Sequence, residues 1–465
     1  MDYFEAASAR RAANRKRFSY YYRDIARYCN YFIHEDMSVL EVGCGTGELI
    51  GNLHGRERVG IDFSPGMVRK ASEQFPAVEF RVMAAESIVL DRTFDVIVIS
   101  NLVGYLADVQ GVLLELHKVC HSRTKIIVTH HNHLWEGILN LAERVRLKAA
   151  GPIQNWLSRA DLANLLYLAG FEVYRSTPRM LLPFNIPLLS GLMNRFVARL
   201  PGVRHLCLNN YVFARPAPHK VQASGEYSVS VVIPARNESG NIEDAILRLP
   251  RFGKTMEIIF VEGHSTDDTW QVIQQMAAKY RNSHTIRMAK QEGKGKADAV
   301  RKGFAMASGD VLMILDADLT VVPEVLPRFY DALVCGLGDF VMGSRLVYPM
   351  ERQAMRFLNI LGNKFFSYAF SWLLDQPIKD TLCGTKVMFQ SDYRHLVSNR
   401  KFFGEFDPFG DYDLIFGAFK LNLKIVEIPI RYQARTYGST NISRFRHGLL
   451  LLKMCLFAAR KIKFY

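Results

Sequence analysis

Short apolar runs that end in acidic or glycine-rich turns recur along the chain and predict buried strands. The apolar run at 311–315 follows Gly309 and Asp310 and ends in two carboxylates, Asp316 and Asp318. Such a run is typical of a strand that is buried in an α/β sheet. Ligands of open α/β sheets lie beyond the carboxyl ends of the strands. We therefore expect a binding site at Asp316 and Asp318.

The spacing of this acid pair suggests a metal ion. Two carboxylates that are one residue apart repel each other unless a cation neutralises them. A hard divalent ion, Mg²⁺ or Mn²⁺, that bridges Asp316 and Asp318 to a phosphate would do so. The alternative interpretation of the tripeptide alone is a strand that ends in a solvated turn.

A second pattern lies in the first half of the chain. A short apolar strand precedes Gly43, Gly45 and Gly47, and we expect a helix after this turn. Glycines allow the backbone to approach a ligand closely. The next predicted strand ends at Asp62, nineteen residues after Gly43, where a carboxylate can accept both hydroxyls of a ribose. The order strand, turn, helix, strand and acid indicates a nucleoside-containing cofactor.

Length and composition fit two globular domains. The chain has 465 residues, of which 49% are hydrophobic, and can bury two large cores. The polar stretch 216–226 is typical of a linker, so we expect domains at 1–215 and 227–465. Seven scattered cysteines without a Cys-x-x-Cys pair argue against a disulfide framework or a structural zinc site. Because the first residues also lack an apolar signal-peptide core, we expect a cytoplasmic protein.

The net charge of +14 favours anionic partners such as nucleic acid, an anionic membrane or phosphorylated substrates. Residues 1–36 are predicted to be helical, and their interleaved basic and tyrosine residues suit RNA or lipid headgroups. A solvated helix that packs its aromatic rings on the next domain is the alternative. Residues 182–206 are apolar with basic residues at intervals, which fits an acceptor lid, a membrane-facing flap or a core helix.

The chain's last segment, 444–465, predicts a helix with an apolar centre. Twelve residues separate His447 from Arg460, whereas a spanning helix needs roughly 20 apolar residues. The segment contains six Lys and Arg residues and no acid, which fits a helix lying on an anionic membrane surface. A terminal helix that docks on its own domain is the alternative. We expect peripheral association with the cytoplasmic face of the membrane.

Residues 36–215 resemble class I S-adenosylmethionine-dependent methyltransferases. The resemblance rests on the motifs at 41–47, 60–64, 85–87 and 94–101, and on the late helix and strand at 156–172. It implies a Rossmann-like domain with S-adenosylmethionine as cofactor. The residues that the resemblance assigns to this cofactor are Glu41, Gly43, Gly45, Gly47, Asp62, Ala85, Glu86 and Asn101.

The methyl acceptor is less defined. His130, His131 and His133 follow the predicted fifth strand, and a histidine there can take a proton from a hydroxyl acceptor. Alignment of the acceptor with the sulfonium is the alternative, because methyl transfer needs mainly proximity. Polar loop residues without a catalytic role are a further alternative.

Residues 226–465 resemble family 2 glycosyltransferases of the nucleotide-diphosphosugar transferase (GT-A) fold, in particular dolichyl- or polyprenyl-phosphate sugar transferases such as mannosyltransferases. The motifs lie at 234–238, 316–318, 343–345, 380–386 and 435–440. The residues expected at the nucleotide sugar are Pro234, Ala235, Asn237, Glu238, Glu262, Lys294 and Asp316. The resemblance implies a metal on Asp316 and Asp318, a phosphate contact from Arg345, and an acceptor loop with Arg435 and Ser439.

Two positions leave choices open. The family commonly has two adjacent acids where this chain has Glu262 and Gly263, so both uridine and guanosine donors are compatible. Asp411 aligns with the region in which relatives with hydroxyl acceptors carry a catalytic base. An acid that is favoured by the dipole at a helix N-terminus is the alternative interpretation of Asp411.

The combined prediction is a bifunctional enzyme with two α/β domains. A methyltransferase domain precedes an inverting glycosyltransferase that moves a sugar from a nucleotide sugar to polyprenyl phosphate, in cell-surface glycan or glycolipid synthesis. Alternatives are a non-catalytic S-adenosylmethionine-binding scaffold, a hydroxyl acceptor for the sugar, or an RNA methyltransferase. The absence of a dedicated RNA-binding motif counts against the last, so nucleic acid is not an expected partner.

Overall fold

The computed structural model describes residues 20–144, 155–218, 226–347, 357–398, 411–433, 435, 437 and 444–464. It divides into two compact units, Met1–Ala217 with Phe464–Tyr465, and Pro218–Lys463. Each unit contains one seven-stranded sheet. The start of the predicted N-terminal arm, most of the predicted linker and Ser439 lie outside the described residues.

The sheet of the first unit has the order β3-β2-β1-β4-β5-β7-β6. Strands β1 to β5 run parallel, and β7 is antiparallel to both of its neighbours. The strands are β1 (Ser38–Val42), β2 (Glu57–Asp62), β3 (Glu79–Val82), β4 (Phe94–Ser100), β5 (Cys120–His131), β6 (Phe171–Arg179) and β7 (Asn209–Pro216). The carboxyl ends of the five parallel strands therefore meet at one edge, where this class of sheet binds ligands.

The helices of the first unit are residues 20–30, Pro65–Gln74, Val109–Glu115, Glu136–Arg144, Arg159–Leu168 and Leu189–Arg195. Side-chain caps define the start of two of these helices. At the helix Pro65–Gln74, the hydroxyl of Ser64 accepts from the N–H of Met67, and at Arg159–Leu168, Ser158 and Asp161 form a capping box. Buried valine, isoleucine and leucine side chains of the sheet form the core of this unit with the covering helices.

The prediction of a helix after the glycine-rich turn is wrong. The chain forms only a short 3₁₀ turn at Ile50–Asn52. The Asn52 side chain donates to the carbonyl of Glu48, which competes with regular helical bonding. A Cβ at Gly51 would lie 2.4 Å from the ring of Phe75, so the backbone packs too closely against that ring for another side chain.

The sheet of the second unit has the order β10-β9-β8-β11-β13-β12-β14. Strand β13 is antiparallel to β11 and β12, and the other pairs are parallel. The strands are β8 (Val229–Ala235), β9 (Met256–Glu262), β10 (Thr285–Lys290), β11 (Val311–Ile314), β12 (Phe340–Ser344), β13 (Lys386–Phe389) and β14 (Ile425–Pro429). The predicted apolar run forms β11, which is fully buried and lies at the centre of the sheet.

The helices of the second unit are Ile242–Leu247, Thr269–Lys279, Lys296–Met306, Leu326–Val334, Phe357–Leu374, Gln390–Ser398, Asp411–Lys420 and Arg444–Ala458. The last helix buries Leu451 and Met454 on one side and exposes Leu449, Leu452 and Leu456 on the other. In the described part of the chain, no helix combines the length and the apolar character that are needed to cross a membrane.

Candidate functional site

The glycine-rich turn after β1 has left-handed backbone angles at three positions, Gly43, Gly45 and Gly47. The N–H of Gly43 donates to the carbonyl of Ile61 at 2.8 Å, which fastens the turn to β2. A Cβ at Gly43 would lie 2.9 Å from the Leu102 side chain. Both the backbone angle and the lack of space therefore require glycine at this position.

The Asp62 carboxylate at the end of β2 completes this turn. Its Oδ2 accepts from the N–H of Gly45 at 2.9 Å, and its Oδ1 accepts from the N–H of Ser64 at 3.0 Å. Behind the turn, the buried Glu41 accepts from the N–H of Ile50 at 2.9 Å, and burial raises the pKa of Glu41 well above its ordinary value. The structure thus brings Glu41, Asp62 and the glycines together; the ribose contact of Asp62 stays a prediction.

A polar cluster lies beside this turn at the ends of β4 and β5. Asn101 follows β4, and its Nδ2 donates to the hydroxyl of Tyr21 at 2.8 Å. That hydroxyl donates to Asn209 Oδ1 at 2.9 Å and lies 3.1 Å from Nε2 of His131. The Asn101 Oδ1 is buried and has no hydrogen-bond partner among the described residues. The cluster can therefore accept a hydrogen bond from a ligand beside the glycine-rich turn.

The remaining residues predicted in the first unit have different surroundings. Ala85 is buried and Glu86 is exposed in the loop after β3, and the N–H of Met83 donates to the carbonyl of Asp62. His130 is buried, and burial lowers its pKa to about 4, so this imidazole is neutral at pH 7. Only His131 of the predicted histidines contacts Tyr21 in the polar cluster, among the contacts of the described residues.

In the second unit, Asp316 follows β11 and pairs with Lys296. The Nζ of Lys296 lies 2.5 Å from Asp316 Oδ1. Burial opposes the ionisation of Asp316, but the positive charges of Lys296, Lys386 and Arg345 together outweigh burial and hold the pKa of this carboxyl below its usual range. A Cβ at Gly384 would lie 1.9 Å from Asp316 Oδ2, so this chain segment closes tightly over the pair. Lys294, which is predicted to contact the nucleotide sugar, is exposed.

Asp318 and Glu238, which lies in the turn after β8, both bind the guanidinium of Arg435. Arg435 donates to Asp318 Oδ2 at 2.6 Å and to Glu238 Oε1 at 2.9 Å. The other oxygen of Asp318 accepts from the hydroxyl of Thr320 at 2.8 Å, and Asn241 donates to Glu238 at 2.7 Å. Burial raises the pKa of Glu238, and Arg435 partly counteracts this effect. The structure thus places three predicted site residues, Glu238, Asp318 and Arg435, in one ion-pair group.

The turn after β8 is joined to the loop after β9. The N–H of Asn237 donates to the Ser265 hydroxyl at 3.0 Å, and Asn237 Oδ1 accepts from the N–H of Thr266 at 2.8 Å. Glu262, at the end of β9, accepts from the N–H of Ser265. Pro234 and Ala235 are the last residues of β8. These predicted nucleotide-binding residues therefore lie at the carboxyl ends of neighbouring strands, and their contact with a nucleotide stays a prediction.

Arg345 lies at the end of β12 and is bound by Asp380. Its Nε and NH2 donate to the two carboxylate oxygens at 2.7 and 2.8 Å, and its backbone N–H donates at 2.9 Å. Burial opposes the charge on Asp380, but Arg345 outweighs burial and lowers the pKa of this carboxyl. The guanidinium also lies 5.1 Å from the ring centroid of Tyr432. The phosphate contact that was expected of Arg345 stays a prediction.

The predicted metal ligands fit a hard divalent cation in their chemistry, because Asp316 and Asp318 offer carboxylate oxygens. The cations Lys296 and Arg435 contact these oxygens and show that the group attracts positive charge. No cluster of three or more His, Cys, Asp or Glu side chains suited to a metal was found in the described part of the chain. Asp411 begins the helix Asp411–Lys420, and its role also stays a prediction.

Some residues of these sites were not among the predicted ones. Lys296 is the first residue of its helix, where the helix dipole disfavours a cation, and that mismatch is a sequence signal for an acidic partner. For Tyr21, Asn209 and Gly384 we find no such local signal, because their contacts join positions that are distant in sequence.

Two family models match the chain. Residues 13–176 match a methyltransferase domain, and residues 230–398 match glycosyl transferase family 2. A dolichol-phosphate mannosyltransferase from Pyrococcus furiosus is 41% identical over 121 residues, which are 26% of this chain and 33% of the relative. An undecaprenyl-phosphate 4-deoxy-4-formamido-L-arabinose transferase from Klebsiella pneumoniae is 32% identical over 222 residues, 47% of this chain and 63% of the relative. The chain thus spans one to two thirds of the length of these two relatives.

Solved structures resemble each half. A methyltransferase from Thermotoga maritima is 18% identical with a TM-score of 0.32, covering 43% of this chain and 89% of that structure. A glucosyl-3-phosphoglycerate synthase from Mycobacterium tuberculosis, solved with Mn²⁺ and uridine diphosphate, is 19% identical with a TM-score of 0.38, covering 51% and 80%. On the family models, the chain combines an N-terminal methyltransferase domain with a C-terminal domain of glycosyl transferase family 2.

Proposed function

We propose that the second domain is an inverting glycosyltransferase that moves a sugar from a nucleotide sugar to polyprenyl phosphate. The observation that carries this proposal is the group of Glu238, Asp316 and Asp318 at the carboxyl ends of β8 and β11, with Lys296 and Arg435 at their oxygens. The names of the relatives from Pyrococcus and Klebsiella support a lipid-phosphate acceptor. Cell-surface glycan or glycolipid synthesis is the corresponding process.

This reaction depends mainly on the stabilisation of negative charge. Mg²⁺ or Mn²⁺ on Asp318 and Asp316 would stabilise the charge that the departing nucleoside diphosphate gains. A lipid monophosphate has a second pKa near 6 and is largely ionised at neutral pH, so it needs placement more than deprotonation. Arg435 is the candidate for this placement, and Ser439 belongs to the same predicted loop. With a hydroxyl acceptor, Asp411 would be the candidate base.

The terminal helix supports a location at the cytoplasmic face of an anionic membrane. Its side chains Leu449, Leu452 and Leu456 are exposed, together with Lys453 and Arg460. An exposed row of leucines beside basic residues suits the boundary between lipid tails and anionic headgroups. A lipid-linked acceptor would require the domain to work close to this boundary.

Sugar transfer is tested with the purified full chain, candidate uridine and guanosine sugar donors, polyprenyl phosphate and Mn²⁺. Asp318→Ala should reduce transfer by about 10³-fold, because removal of a group that stabilises transition-state charge has effects of this size. Glu292→Ala is the matched control, since Glu292 is an exposed acid of the same domain. Undiminished transfer in Asp318→Ala, or no transfer from any donor, would refute the proposal.

For the first domain, we propose methyl transfer from S-adenosylmethionine. The supporting observation is the Asp62 carboxylate, which is held between the glycine-rich turn and the loop after β2 by two backbone N–H groups. Calorimetry should detect S-adenosylmethionine binding that Asp62→Ala weakens and that the exposed-acid control Asp91→Ala leaves unchanged. Labelled methyl product distinguishes an active enzyme from a cofactor-binding scaffold.

A further inference from the structure

The segment Leu181–Leu206, between β6 and β7, exposes an unusual number of large apolar side chains. We refer to this segment as the apolar insert. Its exposed side chains include Phe184, Ile186, Leu188, Leu189, Leu192 and Leu206, and Leu188 is 94% exposed. Scattered exposed leucines are common in soluble proteins, whereas a concentration in one segment indicates a contact surface.

Buried polar side chains hold the apolar insert in this conformation. The hydroxyl of Ser190 donates to the carbonyl of Phe184 and accepts from the N–H of Ile186 at 2.9 Å. Asn194 Oδ1 accepts from the N–H groups of Leu181 and Leu182 at 2.7 and 2.8 Å. Ser190 and Asn194 are themselves buried. The exposed leucines are therefore presented by an ordered, internally bonded segment.

The backbone at Leu188 strengthens this point. Its φ of 62° and ψ of −45° form a γ-turn, in which the N–H of Leu189 donates to the carbonyl of Pro187 at 2.7 Å, and this turn is strained for a residue with a large side chain. Glycine would adopt these angles more readily. The core of its own domain does not offset this strain, because Leu188 is 94% exposed, whereas burial in an external apolar phase would offset it.

Charge identifies the chemistry of that phase. The sequence contains no acidic residue between Glu172 and Glu226. Of the three arginines in the apolar insert, Arg195 is exposed and Arg204 is half-buried, whereas Arg199 is buried. An apolar surface in a cationic setting complements the anionic headgroups and acyl chains of a bilayer. A symmetric contact with a second copy would instead bring two cationic surfaces together.

The apolar insert is connected to the polar cluster of the candidate methyltransferase site. The Asn194 Nδ2 donates to the hydroxyl of Tyr20 at 3.0 Å. The next residue, Tyr21, binds Asn101 in the polar cluster. The apolar insert is therefore bonded to the same helix as Tyr21, which binds Asn101.

We propose that the apolar insert docks the methyltransferase domain on an anionic bilayer, and that the methyl acceptor is an O–H or N–H group of a lipid-anchored molecule. The second part rests on the proposed methyl transfer. In that reaction the bond from the sulfonium to the methyl carbon breaks and sulfur keeps the electron pair. The acceptor oxygen or nitrogen forms the new bond to carbon, and its proton is released to water.

Docking is measured at Leu188 itself. A Leu188→Trp variant of the full chain is mixed with phosphatidylglycerol-containing vesicles whose acyl chains are brominated, and the fluorescence of the native chain is subtracted. We expect quenching of the added tryptophan. A matched Leu114→Trp variant, at an exposed leucine of the helix Val109–Glu115, should not be quenched. Equal quenching at both positions, or none at Leu188→Trp, would overturn the docking proposal.

Vesicle sedimentation provides a second measurement. The double variant Leu188→Asn and Leu192→Asn should partition about tenfold less onto anionic vesicles, because two exposed leucines lose their burial in lipid. Asparagine meets no packed neighbour at position 188, where the native side chain is 94% exposed, and Leu114→Asn is the control. Unchanged partition contradicts the proposal. A loss of self-association in place of lipid binding, seen by size-exclusion chromatography, would also contradict it and indicate a second copy.

The substrate class is tested with labelled S-adenosylmethionine, the full chain and separated lipid and aqueous extracts of cells. We expect the label in the lipid extract, and transfer only to water-soluble molecules would overturn this part. Binding of S-adenosylmethionine without quenching at Leu188→Trp would remove the docking proposal while the methyltransferase proposal stands. Quenching at Leu188→Trp without binding of S-adenosylmethionine would remove the methyltransferase proposal while the docking proposal stands.

Discussion

The two domains stabilise most acidic side chains of their candidate sites in different ways. In the first domain, Asp62 and Glu41 accept hydrogen bonds from backbone N–H groups. In the second domain, Glu262 also accepts from a backbone N–H, but Asp316, Asp318 and Asp380 are paired with the side-chain cations of lysine and arginine. Backbone donors orient a carboxylate without removing its charge, whereas a side-chain cation neutralises that charge and can be exchanged for another cation.

This difference corresponds to the proposed ligands. A ribose is neutral and needs a fixed acceptor for its hydroxyl groups, which a carboxylate bound by backbone N–H groups provides. A metal ion and a diphosphate are both charged. They suit a site in which carboxylates are paired with side-chain cations that another cation can replace. The comparison leads to five expected outcomes, beginning with the one of largest effect.

The Asp380→Asn variant should lose roughly 3–5 kcal/mol of unfolding free energy, because it leaves the Arg345 charge, whose side chain is only 11% exposed, without its carboxylate partner. Urea unfolding of the second domain at pH 7 measures this loss. The control is Asp331→Asn at an exposed acid of the same domain. A loss below about 1 kcal/mol, the range of surface ion pairs, would contradict the ion-pair interpretation.

The Gly384→Ala variant should reduce sugar transfer by about 10²-fold, because the new Cβ would displace Asp316 and Lys296 from their pairing. Steady-state kinetics with the active nucleotide sugar measures the effect. Gly362→Ala is the matched substitution, since no described atom lies within 4 Å of its Cβ position. Equal activity of the two variants would argue against a role for the Asp316 geometry.

Replacing Arg435 with alanine should tighten Mn²⁺ binding by about tenfold, because Asp318 and Glu238 lose a competing positive charge. Electron paramagnetic resonance titration of free Mn²⁺ measures the affinity. Arg431→Ala, an exposed arginine four residues earlier, serves as the control. Weaker Mn²⁺ binding in Arg435→Ala would show that Arg435 supports the metal in place of competing with it.

For Asp62→Asn, we expect a loss of about 1 kcal/mol in the unfolding free energy of the first domain. The amide oxygen still accepts from one of the backbone N–H groups of Gly45 and Ser64, whereas its NH₂ group opposes the other. Thermal unfolding measured beside the Asp91→Asn control tests this value. A loss as large as that in Asp380→Asn would break the comparison between the domains.

The last expected outcome concerns pH. Burial raises the pKa of Glu427 from 4.5 to about 7, although the N–H groups of Lys379 and Asp380 oppose the shift. The folded chain therefore binds more protons than the unfolded chain between these pH values, so stability falls as pH rises through this range. Glu427→Gln should flatten this part of the stability curve. An unchanged slope in the variant would assign the pH dependence to other groups.

Much of the fold could be predicted because it depends on local patterns. The apolar runs before Gly43 and Asp316 form β1 and β11 as expected, since alternating or continuous apolar residues bounded by turns specify buried strands. The prediction of a helix after Gly47 was wrong, because the sequence pattern could not show that Gly51 packs on Phe75. The conformation of this segment therefore depends on a contact between residues that are distant in sequence.

The sequence by itself determined the two α/β domains, their motifs and the positions of the acids at strand ends. It did so because hydrophobic periodicity and glycine conformations act over a few residues. Only the tertiary structure decided that Lys296 pairs with Asp316, that Arg435 joins Glu238 to Asp318, and that Tyr21 binds Asn101. These pairings join residues that are 20 to 197 positions apart, so they depend on strand order and packing and not on local spacing.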